Sequence, residues 1–270
     1  MSIRGFLEDK DKRKIFYTLD GEEENNSELW IVCSPIFEEK VFTYSFIKNL
    51  ADNLASKKNL VCRFDYLGEG DSDNSDAALS VNDWVGNIKN LISHIKCMRD
   101  VTKVNIVGLR LGANIAMEAA KECAFEKIVL LAPIDIGEKY INELLRFNLS
   151  TQLAAFRKVK YDRGSLKDSL LAGQSVNILG YELYERLFLD ISKLSLREQL
   201  DNIKSKVSII WFDKTDKISI PSRYLELSSK NPNLFLSSLK LVSFWHEPKY
   251  INVERAELIQ KVTEAIDDLG

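Results

Sequence analysis

The stretch NIVGLRLGANIA, residues 105–116, decides how the rest of the chain is read. It continues the apolar run VTKVNIVG (101–108), which has the character of a buried strand, and it opens LGANIAMEAAKEC (111–123), which is Ala-rich and helical in pattern. A strand therefore passes straight into a helix through Gly108-Leu109-Arg110-Leu111-Gly112. Small residues two before and two after the centre permit a tight turn, with the central residue strained and projecting from the end of the strand. The residue at the centre is Arg110.

Outward from this turn, strand and helix patterns alternate. Upstream, KRKIFYT (12–18) reads as an early strand hairpinned with residues 2–8, and LWIVCSP (29–35) as a buried parallel strand. Residues 42–57 follow as an amphipathic helix and NLVCRFDY (59–66) as the next strand. LGEGDSDNSD (67–76) is turn chemistry, and Ser80 or Asn82 caps a helix running to about Met98, with Asp83 suited to its N-terminal dipole. Downstream, FEKIVLLAP (125–133) is another strand. Residues 137–200 then read as mostly helical with no clear strand, before KVSIIWF (206–212), LKLVSFW (239–245) and a final helix over 251–268 resume the rhythm. The expectation is an α/β protein with a mostly parallel sheet flanked by helices. Residues 1–136 and 201–270 form its core, and 137–200 an inserted helical cap.

Composition narrows the function. Thirty-seven basic against 40 acidic residues in 270 give a net charge of −3, which argues against non-specific nucleic-acid binding. Two histidines, His94 and His246, make a zinc site with several His ligands unattractive, and four cysteines without a C-x-x-C pair exclude the usual zinc and thioredoxin patterns. Asp71, Asp73 and Asp76 resemble the start of a calcium loop, but Asp76 stands where Gly is needed and Asn82 where Glu is needed. No metal and no cofactor is expected. Gly68-Glu69-Gly70 is a turn without the Lys-Ser/Thr of a phosphate loop. The first residues show no apolar signal core, and no apolar run reaches the roughly 18 residues of a membrane span. The reading is a cytoplasmic, reduced protein, and a protein partner or homodimer is compatible with it.

The ordered set of motifs resembles the α/β-hydrolase fold, close to its serine-aminopeptidase-like group. Residues 108–112 match the G-x-S-x-G nucleophile elbow except at Arg110. RFDYLGEGDSD (63–73) resembles the stretch following the strand beside the elbow strand in that fold, and CSPIFEEKVFTYS (33–45) stands where the fold keeps its oxyanion loop. FDKTDKISIP (212–221) resembles the loop carrying the catalytic acid, with Asp216 at the matching place and Asp213 as the alternative, and His246 follows the next strand. More narrowly, Pro35, Phe37, Glu38, Glu39, the GLRLGA run (108–113) and GYELYERLFLDIS (180–192) are similar to bacterial hydrolase-like proteins associated with exosortase systems, which also carry Arg at the elbow. The chain departs from them in Ser34-Pro35, where they have a Pro pair, and in His246.

Arg110 has hydrogen-bond donors only and cannot act as a nucleophile; losing the triad serine costs on the order of 10⁶ in kcat. A buried guanidinium needs an anionic partner. Either Glu38 or Glu39 pairs with it and locks a disused site, or it receives the carboxylate or phosphate of a ligand. His246, held by Asp216, would be a base that activates water or abstracts a proton, with Arg110 as the anion anchor. Ser34 and Cys33 are substitute nucleophile candidates, although Cys33 fits strand packing better. The site residues so expected are His246, Asp216 and Arg110, with Phe37, Glu38, Glu39, Leu109, Leu111 and Trp245 lining the ligand. His94 is a boundary residue without a role. Most of the cap aromatics, Tyr140, Phe147, Phe156, Tyr181, Tyr184 and Phe188, are expected to pack the cap on the sheet, and a minority to line a pocket for a small anionic or acyl-bearing ligand. The leading reading is a non-catalytic, ligand-binding hydrolase homologue. The alternative is an esterase- or thioesterase-like enzyme with altered chemistry.

Overall fold

The computed structural model describes residues 2–21, 27–74, 77–201, 203–213, 220–240, 243–246 and 256–269. The chain opens with β1 (Ser2–Glu8) and β2 (Lys14–Asp20), an antiparallel hairpin in which Phe6 faces Phe16. Then come β3 (Ser27–Cys33), α1 (Glu38–Ser56), β4 (Leu60–Phe64), α2 (Val81–Met98), β5 (Val101–Leu109), α3 (Leu111–Ala119) and β6 (Lys127–Leu131). An excursion follows through α4 (Gly137–Phe156), α5 (Arg163–Leu171), the short strands β7 (Val176–Ile178) and β8 (Tyr181–Leu183), α6 (Glu185–Ser192) and α7 (Leu196–Gln199). The chain returns to the sheet with β9 (Lys206–Asp213), α8 (Ser222–Lys230), β10 (Leu234–Lys240) and α9 (Ala256–Asp267).

Eight strands form one sheet in the order β1-β2-β4-β3-β5-β6-β9-β10. β1 with β2 and β2 with β4 run antiparallel; every other neighbouring pair is parallel. Period-two alternation builds two cores. Leu29, Ile31, Ile106, Ile128 and Ile209 face α2, α3 and the excursion, whereas Trp30, Val32, Val107, Val129 and Ile210 face α1 and α9. Each such buried aliphatic side chain contributes about 1.5–3 kcal/mol. Ser80 caps α2 through a reciprocal capping box with Asp83. Among the described residues no helix is long and apolar enough to cross a membrane.

Four expectations need correction. β3, not β4, lies directly beside β5. Residues 137–200 are not free of strands: β7 and β8 pair around Leu179 (φ 52°) and Gly180 (φ 100°). Two successive positive φ values are what a tight hairpin turn demands, and Leu in the first of them hides the turn from a sequence reading. The last strand is 234–240 rather than 239–245, since its register against β9 runs from Leu234–Val207 to Lys240–Asp213. Phe244 and Trp245 are apolar for another reason: they are buried beyond the strand, in the core under α1 and α9. Finally, Phe156 does not pack the cap on the sheet: it is more than half exposed, with Lys160 Nζ 3.5 Å from its ring centroid.

Candidate functional site

The site forms where β3, β5 and β6 end. Three non-glycine residues there hold positive φ: Phe37 (56°), Arg110 (56°) and Ala132 (42°). Such strain collects at functional sites because only tight surroundings can sustain it. Around Arg110 the surroundings are the two glycines of the turn. A Cβ on Gly108 would lie 2.5 Å from Ala113 Cα, and one on Gly112 2.4 Å from the Cys33 and Ser34 carbonyl oxygens. Without side chains at 108 and 112, α3 can press against its own strand and against the end of β3. The Arg110 amide donates to the Leu131 carbonyl at 3.0 Å, which ties the turn to β6. Sharp strand-to-helix geometry, φ 56° and ψ −126° at its apex, is thus retained with arginine in the central place.

Glu39, in the first turn of α1, meets that arginine. Its Oε1 accepts from Arg110 Nε and Nη2, both at 3.2 Å, and its Oε2 accepts from the Tyr140 hydroxyl at 3.4 Å. Arg110 Nη1 reaches the Ala132 carbonyl at 3.4 Å. The guanidinium carbon lies 4.7 Å from the Trp245 ring centroid and 5.7 Å from that of Tyr140. Side-chain exposure is 12 % for Arg110 and 5 % for Glu39, so the pair is screened little by solvent. Burial pushes the Glu39 carboxyl above its ordinary range, and Arg110 opposes that rise. Burial, reinforced by Glu39, pushes the Tyr140 hydroxyl well above its usual range, so it stays protonated and donates.

His246 completes the group. Its Nδ1 lies 3.8 Å from Glu39 Oε1, and its Nε2 accepts from Trp245 Nε1 at 2.9 Å. Because the indole only donates, Nε2 carries no proton in this arrangement, and Nδ1 is the protonated nitrogen facing Glu39. Phe147 of α4 lies against the imidazole, ring centroids 5.6 Å apart.

The structure thus gathers Arg110, Glu39, Trp245 and His246, and adds Tyr140 and Phe147 from α4, which sequence reasoning had placed only among the cap aromatics. Of the two glutamates offered to Arg110, Glu39 makes the pair; Glu38 is part-buried beside it, its carboxyl raised by that burial. Leu109 and Leu111 have no exposed surface and serve packing. Phe37 is buried, its ring tilted against that of Tyr181 with centroids 5.5 Å apart, and it donates its amide to Glu69 Oε1 at 3.0 Å. It fronts a cavity of about 410 Å³ shared with Glu69, Trp84, Tyr181 and Tyr184. Cys33 is fully buried and its thiol is pushed up to about 12, so it stays protonated and inert. Ser34 is buried, its carbonyl against Gly112. Asp216 lies outside the described residues; Asp213 ends β9. His94 shares a 3.0 Å hydrogen bond with the Tyr17 hydroxyl. Among the described residues no group of three His, Cys, Asp or Glu could hold a metal.

A sequence profile of the family described as serine aminopeptidase, S33, matches residues 41–178. No curated protein sequence matches the chain. Among solved structures, Est1E of Butyrivibrio proteoclasticus, determined with ferulic acid, superposes with a TM-score of 0.65 at 15 % identity, covering 98 % of each chain. An esterase of Pyrococcus furiosus gives a TM-score of 0.68 at 13 % identity over 100 % of this chain and 91 % of its own. An alpha/beta hydrolase from a Medee basin deep-sea metagenome library gives 0.63 at 18 % identity over 97 % of each. The eight-stranded order, the flanking helices and these likenesses establish the α/β-hydrolase fold.

Proposed function

Because the chain belongs to the serine aminopeptidase family, we propose that it is a member whose elbow has given up hydrolysis and kept binding: a non-catalytic hydrolase homologue that takes a small anionic or acyl-bearing ligand. The observation that carries this reading is the Arg110–Glu39 pair at the apex of the elbow. A guanidinium cannot add to a carbonyl, and an acid stands against it where a hydrolase needs a nucleophile and its base. Two further observations support it. Nε2 of His246 already accepts from Trp245 Nε1 at 2.9 Å, and the Cys33 thiol stays protonated. Arg110 keeps its Nη1 edge on a long contact to Ala132, which an anion can replace with a stronger, charge-assisted bond. In this reading residues 1–136 and 201–270 are the core and 137–200 the cap that brings Tyr140 and Phe147 over the site.

The second reading, an esterase- or thioesterase-like enzyme with a His246–Asp216 base and Arg110 as anion anchor, draws on His246 standing 3.8 Å from Glu39 within the same group. One experiment separates the two. Wild type and His246→Ala are treated with a fluorophosphonate probe and assayed on acyl esters and acyl thioesters. The expected result is no labelling and no turnover above background in either protein. Labelling, or turnover lost in His246→Ala, would overturn the non-catalytic reading.

A further inference from the structure

The far end of α4 carries an apolar surface that stands exposed to solvent. Leu153, Phe156, Val159 and Tyr161 are 56, 52, 48 and 59 % exposed, and every residue from 153 to 165 is exposed. This exposure belongs to a formed loop. Gln152, itself buried, accepts from the Lys160 and Tyr161 amides at 2.7 and 2.9 Å and donates to the Tyr161 carbonyl at 2.9 Å. Arg157 ends α4 in the left-handed region, its amide on the Leu153 carbonyl at 2.9 Å. Asp162 caps α5 by accepting from the Ser165 amide at 2.8 Å. The fold uses side-chain hydrogen bonds, those of Gln152 partly buried, to hold apolar side chains in water.

Charge says what these side chains meet. Between 157 and 163 stand Arg157, Lys158, Lys160 and Arg163 against Asp162 alone, in a chain of net charge −3. Among the described residues none of these four basic side chains forms an ion pair within the protein. They interleave with Phe156, Val159 and Tyr161, and Lys160 Nζ sits 3.5 Å from the Phe156 ring centroid. Exposed apolar tips among basic residues suit one surface, the boundary between acyl chains and anionic headgroups: rings and aliphatic tips enter, while ammonium and guanidinium groups stay at headgroup level.

We propose that the end of α4 and the loop to α5 dock the protein peripherally on an anionic lipid bilayer. Tyr140, which donates to Glu39, lies on the same helix 16 residues before Phe156, about 24 Å along its axis. One rigid element would hold the Arg110 site at a set height above the membrane.

The test is sedimentation with sucrose-loaded vesicles of phosphatidylcholine alone or mixed with phosphatidylglycerol. Wild type is expected in the pellet with the anionic vesicles only, and to be released by salt. Phe156→Ser with Val159→Ser, and separately Lys158→Glu with Lys160→Glu, should each weaken partitioning about tenfold or more, with circular dichroism unchanged. Wild type left in the supernatant with both vesicle types, or either double variant binding as wild type does, overturns the proposal. Light scattering provides a further outcome. A wild-type dimer that Phe156→Ser with Val159→Ser dissociates, without vesicle binding, would assign the surface to a second copy of the chain and end the lipid proposal.

Discussion

Removing Glu39 leaves the Arg110 guanidinium buried among Trp245, Tyr140 and the Ala132 carbonyl without its counter-charge. An uncompensated buried charge costs far more than an intact pair contributes. Glu39→Gln is therefore expected to lower unfolding free energy by about 3 kcal/mol, measured by urea denaturation. Arg110→Met combined with Glu39→Gln should recover much of that loss, because no charge is then left to desolvate. If Glu39→Gln unfolds like wild type, the pair is not what holds Arg110. At this scale the sequence was legible up to a choice. Arginine inside a glycine-framed turn that resembles the nucleophile elbow led to the expectation of no nucleophile at its centre and of an acid beside it. Glu38 and Glu39 could not be told apart, since adjacent helical residues point about 100° apart and only the seating of α1 decides which one meets the elbow.

α3 is fastened to the chain beyond β6 by a closed amide network. Asn114 donates to the Ile134 carbonyl and to Gln199 Oε1, both at 2.8 Å, and accepts from the Ile134 amide at 2.8 Å. Gln199 returns the bond to the Asn114 carbonyl at 3.0 Å and reaches Glu118 at 2.7 Å. Asn114 and Gln199 are both buried, so Asn114→Ala strands several polar groups at once and should cost about 2–3 kcal/mol in unfolding free energy. A loss below about 0.5 kcal/mol would mean that water replaces the amide. Neither residue stood out in the sequence, because an Asn in an Ala-rich helix and a Gln 85 positions later carry no spacing signal. The regular elements did carry one: β3, β5, β6 and β9 were readable directly, and the cap of α2 down to a choice between Ser80 and Asn82, which the structure settles as Ser80. The misplaced last strand shows where that reading stops. Phe244 and Trp245 owe their burial to tertiary contacts with Phe46, Phe212 and Arg110, and a periodicity argument credits such residues to whichever strand is nearest.

At the scale of the whole molecule, the buried acid Glu69 adds a pH dependence to stability. Glu69 lies behind Phe37, and its carboxyl is pushed from an ordinary 4.5 up to about 7; burial outweighs the opposing help of Lys40 and the Phe37 amide. Below about pH 4.5 it is protonated in the folded and the unfolded chain, with no penalty. As pH rises toward 7 the unfolded chain gives up the proton and the folded one holds it, so stability falls. Above 7 the full cost, about 3 kcal/mol, is in place. Glu69→Gln should flatten this part of the curve and match or exceed wild type near pH 8, read from urea midpoints between pH 5 and pH 8. An unchanged slope would mean that Glu69 titrates normally. The order of the strands in the sheet was not legible: β3, not β4, adjoins β5. The succession of strands and helices along the chain was legible, because buried strands and amphipathic helices write different periods into it. The contents of the site were less so, since they rest on which side chains a few loops bring together. The two faces of the sheet meet at the elbow in a way neither alone suggests. Leu109 enters the core under α1 and α9, and Leu111 enters the core under α2 and α3. Arg110 thus stands at a strained turn between two neighbours that pack in different cores. A pull on its guanidinium is passed to side chains on both faces of the sheet, so an occupant of the elbow is felt on either side of it.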